Sequence, residues 1–322
     1  MSFSKKTIVN LGLGMAAIGR PHYINVRTNT VVKSDVNELK VNGFKVLDAA
    51  YNLGVRYFDT APGYGLAEAL LIDWLADKND KNIQIGTKWG YTYTANFDKN
   101  AIIHEVKEHS ISKLKEQWQV SKKLLPFLTT YQIHSATLET GVLENAEVLN
   151  ELAYLKREYQ IKIGISTTGD NQVEVIKKAL EVSVDGRSLF DTFQSTYNIL
   201  DQSILSISAQ LKQEDKQLIV KEALANGRIF RNKNFPTYHN LYSALENLSY
   251  KYDVGVDAIA LQFCNATIPE SMVLSGASTV NQLQENLKAN TIILNEEDMV
   301  LLKSFSVEPV AYWNERKQLQ WN

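Results

Sequence analysis
Cysteine is nearly missing from this chain. Cys264 stands alone among 322 residues, so no intramolecular disulfide can form and a reducing compartment suits the protein. No apolar run reaches the ~18 to 20 residues needed to span a bilayer, and the N-terminal Met1-Ser2-Phe3-Ser4-Lys5-Lys6-Thr7 lacks the apolar stretch of a signal peptide. Charge of one sign is also lacking. The net charge of -2 argues against a nucleic-acid partner and offers no polybasic patch to a membrane. The five histidines, His22, His104, His109, His134 and His239, show no ligand spacing, and Cys264 has no thiol partner, so no metal site is expected. No Pro/Gly/Ser-rich linker, low-complexity block or short repeat divides the chain. These absences point to a cytoplasmic protein, a monomer by default, folded as one domain over 1–322.

Apolar residues make up 44% of the chain and charged residues 22%, enough to bury a large core. Short apolar runs near Ile8–Leu13, Val55–Asp59, Ile83–Lys88, Leu128–His134, Ile161–Ser166, Phe190–Gln194, Gln217–Lys221 and Met272–Gly276 read as strands. Between them lie segments with apolar residues three and four apart, such as Phe44, Leu47, Ala50 and Tyr51. Eight strands alternating with helices predict a closed parallel (β/α)8 barrel. Gly54 fits a left-handed helix cap, and Thr279-Val280-Asn281-Gln282 reads as a capping box. The rhythm breaks at His22–Asp35, Trp89–Phe97, Asn226–Pro236 and the tail from Val307, three of which follow strands one, three and seven. Loops of this length are more often functional or disordered than idle. Their aromatics, Trp89, Tyr91, Tyr93, Phe97, Trp313 and Trp321, either wall a substrate pocket or pack the tail onto the barrel. Glu315, Arg316 and Lys317 read as a solvated face.

Four reactive side chains fall at or just past strand ends: Asp59, Tyr64, Lys88 and His134. Singly three have a plain reading, such as a turn cap for Asp59 or a packing aromatic for Tyr64, whereas Lys88 ends an apolar strand where a charge is costly unless paired. Together they occupy the face where parallel strands of a barrel all end, so residues distant in sequence can meet. A carbonyl carbon accepts hydride only as its oxygen gains a proton. A phenol, which titrates near ~10 when free, becomes a better donor beside an ammonium that favours the phenolate. Lys88 would supply that charge, Asp59 would keep it protonated and aimed, and His134 would orient the substrate oxygen or relay the proton.

These residues sit in stretches that resemble the aldo-keto reductase superfamily along nearly the whole chain. Gly12-Leu13-Gly14 resembles its opening strand and turn. Gly54-Val55-Arg56-Tyr57-Phe58-Asp59-Thr60-Ala61, followed by Tyr64-Gly65 and Ala67-Glu68, resembles its most specific signature, and Lys88 and His134 complete its Asp-Tyr-Lys-His set. The resemblance implies NAD(P)H-dependent interconversion of a small-molecule carbonyl and its alcohol, with Tyr64 as proton donor or acceptor. It implies that Gly14 and Met15 border the cofactor and that Ser166 and Gln194 hold the carboxamide. Thr167 stands where the family commonly has Asn, and Lys221 where an aromatic often stacks. Backbone from Glu222 through Ala223 to Leu224, with Arg228 nearby, would face the pyrophosphate. Ala277, Ser278, Gln282, Glu285 and Asn286 would meet the adenosine end. Family habit favours NADP(H), but Leu274–Leu287 contains no Lys or Arg for a 2′-phosphate, which keeps NAD(H) possible. Two other readings remain open: a cofactor-binding regulatory barrel with little turnover, and a lyase in which Lys88 forms a Schiff base.

Overall fold
Eight strands close the barrel: β1 (Leu11–Gly14), β2 (Tyr57–Asp59), β3 (Gln84–Trp89), β4 (Leu128–Ala136), β5 (Lys162–Thr167), β6 (Thr192–Thr196), β7 (Gln217–Lys221) and β8 (Met272–Ser275). In this computed structural model, which describes residues 9–20, 36–98 and 100–320, each strand pairs in parallel with its sequence neighbours and β8 returns to β1. All eight expected runs are the eight barrel strands. The expected loop His22–Asp35, the Lys5-Lys6 pair and Trp321 lie outside the described residues.

Strands covered on both faces read as continuous apolar runs, because helices pack outside and side chains fill the interior. In β3 and β5 every residue after the first is buried. Tyr57 helps fill the interior beneath the site. Its hydroxyl lies where a Cβ on Gly86 would come within 2.2 Å, so the glycine in Ile85-Gly86-Thr87 makes room for that ring. The helix Val36–Asn52 ends as its sequence implies: Gly54 has φ +93°, and the Val55 amide returns to the Ala50 carbonyl at 2.9 Å.

Two of the long connections carry structure of their own. Trp89–Phe97 contains a strand, Tyr91–Tyr93, paired antiparallel with Glu105–Lys107. Trp89 itself is buried in the core. The tail forms a helix, Pro309–Lys317, that buries Tyr312 and Trp313, so these aromatics fasten the tail. Glu315 and Arg316 are not a solvated face. Glu315 accepts from Arg228 at 2.7 Å, and Arg316 donates to Glu222 at 2.9 Å. Only Lys317 of the three is exposed.

Candidate active site
Register places the reactive groups at one end of the barrel. Asp59 at the end of β2 is opposite Gly14 of β1 and Gly86 of β3. Lys88 lies two residues beyond Gly86 on β3, and it pairs with Gln132, two residues before His134 on β4. Tyr64 closes the short 3-10 turn Pro62–Tyr64 directly after β2. Glycines hold that turn down. Gly19 accepts from the Leu66 amide at 2.9 Å, and a Cβ on Gly19 would lie 2.2 Å from the Tyr64 carbonyl oxygen.

The four side chains converge. The Lys88 ammonium, 0% exposed, donates to Asp59 Oδ1 and to the Thr60 carbonyl at 3.0 Å. Lys88 Nζ lies 5.0 Å from the centre of the Tyr64 ring. The Tyr64 hydroxyl is 3.4 Å from His134 Nε2, and the two rings meet edge-on at 5.4 Å. Burial lowers the Lys88 pKa, with Asp59 opposing. Burial, then the charges of Lys88, Arg20 and Lys221, hold His134 well below the ordinary imidazole value. The ring is therefore neutral near pH 7 and able to donate a hydrogen bond.

A bulge aims His134. β4 does not stop at His134 but runs to Ala136, with its register against β5 shifting between Ile133 and Ala136 and Ser135 at φ +53°. Side chains take up the displaced backbone groups. His109 Nε2 meets the His134 carbonyl at 2.9 Å, Lys107 donates to the Ser135 carbonyl at 2.8 Å, and the Ser135 amide donates to Ser166 Oγ at 2.8 Å. Nothing in the apolar pattern of Leu128–His134 signals this, because a bulge inserts one residue without altering composition.

The residues expected at a cofactor divide into those facing the mouth and those engaged elsewhere. Gly14 and Met15 border it from β1, with the Met15 amide on the Asp59 carbonyl at 2.8 Å. Ser166 accepts from Ser135, which leaves its own proton to give. Gln194 donates its amide to Asp59 Oδ2 at 2.7 Å. Thr167 bonds to Ser195 Oγ at 2.8 Å and is fully buried. Lys221 Nζ lies 3.0 Å from Thr196 Oγ1 and 3.8 Å from Glu222. Glu222 is buried. Burial would raise its pKa, but Arg316 and Lys221 outweigh that and hold it at about 2. After it, the backbone amides of Ala223 and Leu224 donate to no acceptor among the described residues. Arg228 does not reach this groove. It is fully buried, its guanidinium bonded to the Ala225 and Tyr312 carbonyls and to Glu315. The tail helix takes up a cation that the sequence alone leaves free.

Where an adenosine was expected, Thr279 caps the helix Val280–Leu287 through the Gln282 amide at 3.2 Å. The reciprocal bond of the capping box is displaced by one residue: Gln282 Oε1 accepts from the Ser278 amide at 2.9 Å. Ala277 donates its amide to Ser275 Oγ, Asn286 is buried against the same hydroxyl, and Glu285 pairs with Lys288 on the surface.

Of the expected loop aromatics, Tyr91 reaches the site and packs at 4.7 Å from His134. Sequence reasoning missed three residues here. Arg20 lies with its guanidinium centre 5.2 Å from the Tyr64 ring centre. Glu105 and Lys107 sit on the strand that pairs with Tyr91. A charged residue soon after strand one was a usable signal for Arg20. Nothing marked Glu105 or Lys107, which depend on the hairpin.

Comparison with known proteins bears on the family and the fold. A model described as the aldo/keto reductase family matches residues 10–306. An oxidoreductase of Bacillus subtilis (strain 168) named YqkF, described as uncharacterized, is 27% identical over 291 residues, covering 84% of this chain and 90% of its own. An NADH-specific methylglyoxal reductase of Escherichia coli (strain K12) is 22% identical over 334 residues, covering 93% and 95%. An aldo-keto reductase from Bacillus halodurans, solved in its holo form, shares the fold with a TM-score of 0.69 at 22% identity, covering 94% of this chain and 93% of its own.

Proposed function
This chain belongs to the aldo/keto reductase family, and from that premise we propose that it interconverts a carbonyl and its alcohol with Tyr64 as the proton donor or acceptor. The observation that carries the reading is the convergence of the Tyr64 hydroxyl, His134 Nε2 and the Asp59-braced Lys88 ammonium at the barrel mouth. A bound nicotinamide nucleotide supplies the hydride. The chain's own residues manage the proton and the orientation. Tyr64 donates to the carbonyl oxygen as charge builds there. Lys88 stabilises the phenolate left behind, and neutral His134 holds the oxygen in line.

The mouth suits such a cofactor. Ser166 keeps a proton for the carboxamide and Gln194 its carbonyl oxygen. The amides of Ala223 and Leu224, beside Lys221, suit a pyrophosphate. At the adenosine end the amide and hydroxyl of Ser278 are both spent on Gln282 Oε1, Leu274–Leu287 holds no Lys or Arg and Lys288 just beyond it is paired with Glu285, so NADPH and NADH are accepted with little discrimination. The Schiff-base alternative has less support, since Lys88 Nζ is enclosed and held by two oxygens.

Replacing Tyr64→Phe tests the reading. Turnover of small aldehydes should fall by about 10² to 10⁴, while fluorescence titration finds NADPH and NADH still bound, with dissociation constants within about tenfold of each other. Near-normal turnover in this variant would sink the proposal. Tight cofactor binding by the wild type with no turnover of any carbonyl would favour a regulatory barrel.

A further inference from the structure
An ion pair stands over the proposed proton donor. Arg20 is 3% exposed and its Nη1 donates to Glu105 Oε2 at 2.7 Å, while Glu105 is 25% exposed. The guanidinium lies over the Tyr64 ring. Glu105 also borders an open recess of about 450 Å³ lined by Asn100–Glu105 and Gln320, a size that admits a small polar molecule. Both charges act on the phenol of Tyr91, whose ring packs against His134. The pair, the two phenols and the imidazole thus form one wall.

Holding a buried guanidinium against a half-buried carboxylate is a poor way to add stability, since a well-packed apolar pair of similar volume commonly does as well or better. Its chemistry suits recognition. Arg20 offers only donors and Glu105 only acceptors, so adjacent hydroxyl groups can accept from the first and donate to the second. A carboxylate on the substrate would meet Glu105 as a like charge, and an ammonium would meet Arg20. An alkyl chain would leave both groups desolvated without new partners.

We propose that Arg20 and Glu105 form the specificity site of this enzyme, selecting neutral carbonyl compounds with hydroxyl groups on the carbons next to the carbonyl. This rests on the oxidoreductase reading above and names its substrate class.

The test compares kcat/KM for glyceraldehyde, propanal and glyoxylate in the wild type, Glu105→Gln and Arg20→Leu. Propanal has the same carbon count without hydroxyls, and glyoxylate carries the charge the pair should reject. The intrinsic reactivity of each aldehyde cancels when the ratio of two substrates is compared across variants. The wild type should prefer glyceraldehyde to both others. The glyceraldehyde-to-propanal ratio should fall about tenfold or more in each variant, mostly through KM for glyceraldehyde. Glu105→Gln should also narrow the bias against glyoxylate. A ratio unmoved in both variants, or a wild type that prefers propanal or glyoxylate, overturns the assignment while leaving the oxidoreductase reading intact. Oxidation of NAD(P)H with none of the three would instead remove that reading and this inference with it. Because Glu105 is partly exposed, its variant keeps the test decisive if Arg20→Leu fails to fold.

Discussion

Glu68 shows how one buried atom sets a pH dependence. Its Oε1 accepts from Thr87 at 2.7 Å and from Ser121 at 2.9 Å, while Oε2 finds no hydrogen-bond partner among the described residues. Burial raises its pKa to about 7, against the opposing pull of those two hydroxyls and of Lys88. The folded state therefore binds this proton more tightly than the unfolded chain. The resulting stability is complete below the ordinary carboxylate value of 4.5 and is lost as pH rises through about 7, a change on the order of 3 kcal/mol. Glu68→Gln removes the carboxylate and should raise Tm by several degrees at pH 8 relative to the wild type, with little gain at pH 4.5. His109, lowered to about 4 by burial first, contributes the opposite slope below its ordinary value. It cancels when variant and wild type are compared at the same pH. Equal differences at both pH values would show that Glu68 is not titrating. The sequence displays Glu68 as part of a signature, but its burial beside Thr87 and Ser121 depends on the helix Ile111–Ser121 packing over β3, which no local pattern reveals.

Between elements, the close approach of Gly19 to the Tyr64 turn is the joint that matters most. A Cβ there would lie 2.2 Å from the Tyr64 carbonyl and 2.5 Å from both the amide and the Cβ of Ala67. These are backbone and helix-start atoms that cannot swing aside. Gly19→Ala should cost about 1–3 kcal/mol in thermal unfolding and displace the Tyr64 hydroxyl enough to lower kcat by roughly 10²-fold. A variant with wild-type kcat would mean the turn is positioned by something else. The eight strands were legible because a strand covered on both faces leaves an unbroken apolar run, and Asp59, Lys88 and His134 were legible because they interrupt such runs at their ends. The bulge at Ser135, the hairpin carrying Tyr91 and Glu105, and the engagement of Arg228 were not. Each depends on which distant segment arrives to accept a hydrogen bond.

Across the whole molecule, the tail helix fastens the strand-seven loop. Tyr312 is fully buried, its hydroxyl accepts from Asn198 at 2.9 Å, and the Arg228 guanidinium lies 4.0 Å from its ring centre. Tyr312→Ala should cost about 3–5 kcal/mol and lower Tm by roughly 4–7 °C. It should also weaken cofactor binding, because Arg316 on the same helix holds Glu222. A thermal shift under about 2 °C would show that the barrel does not depend on its tail. A different tie runs across the rim itself. One oxygen of Asp59 meets Lys88 of β3 and the other meets Gln194 of β6, on the far wall. The carboxylate acts as a spoke inside a hoop. The first four strands cannot drift from the last four at this end without stripping a buried charge of half its contacts, so neither half-barrel could preserve the mouth by itself.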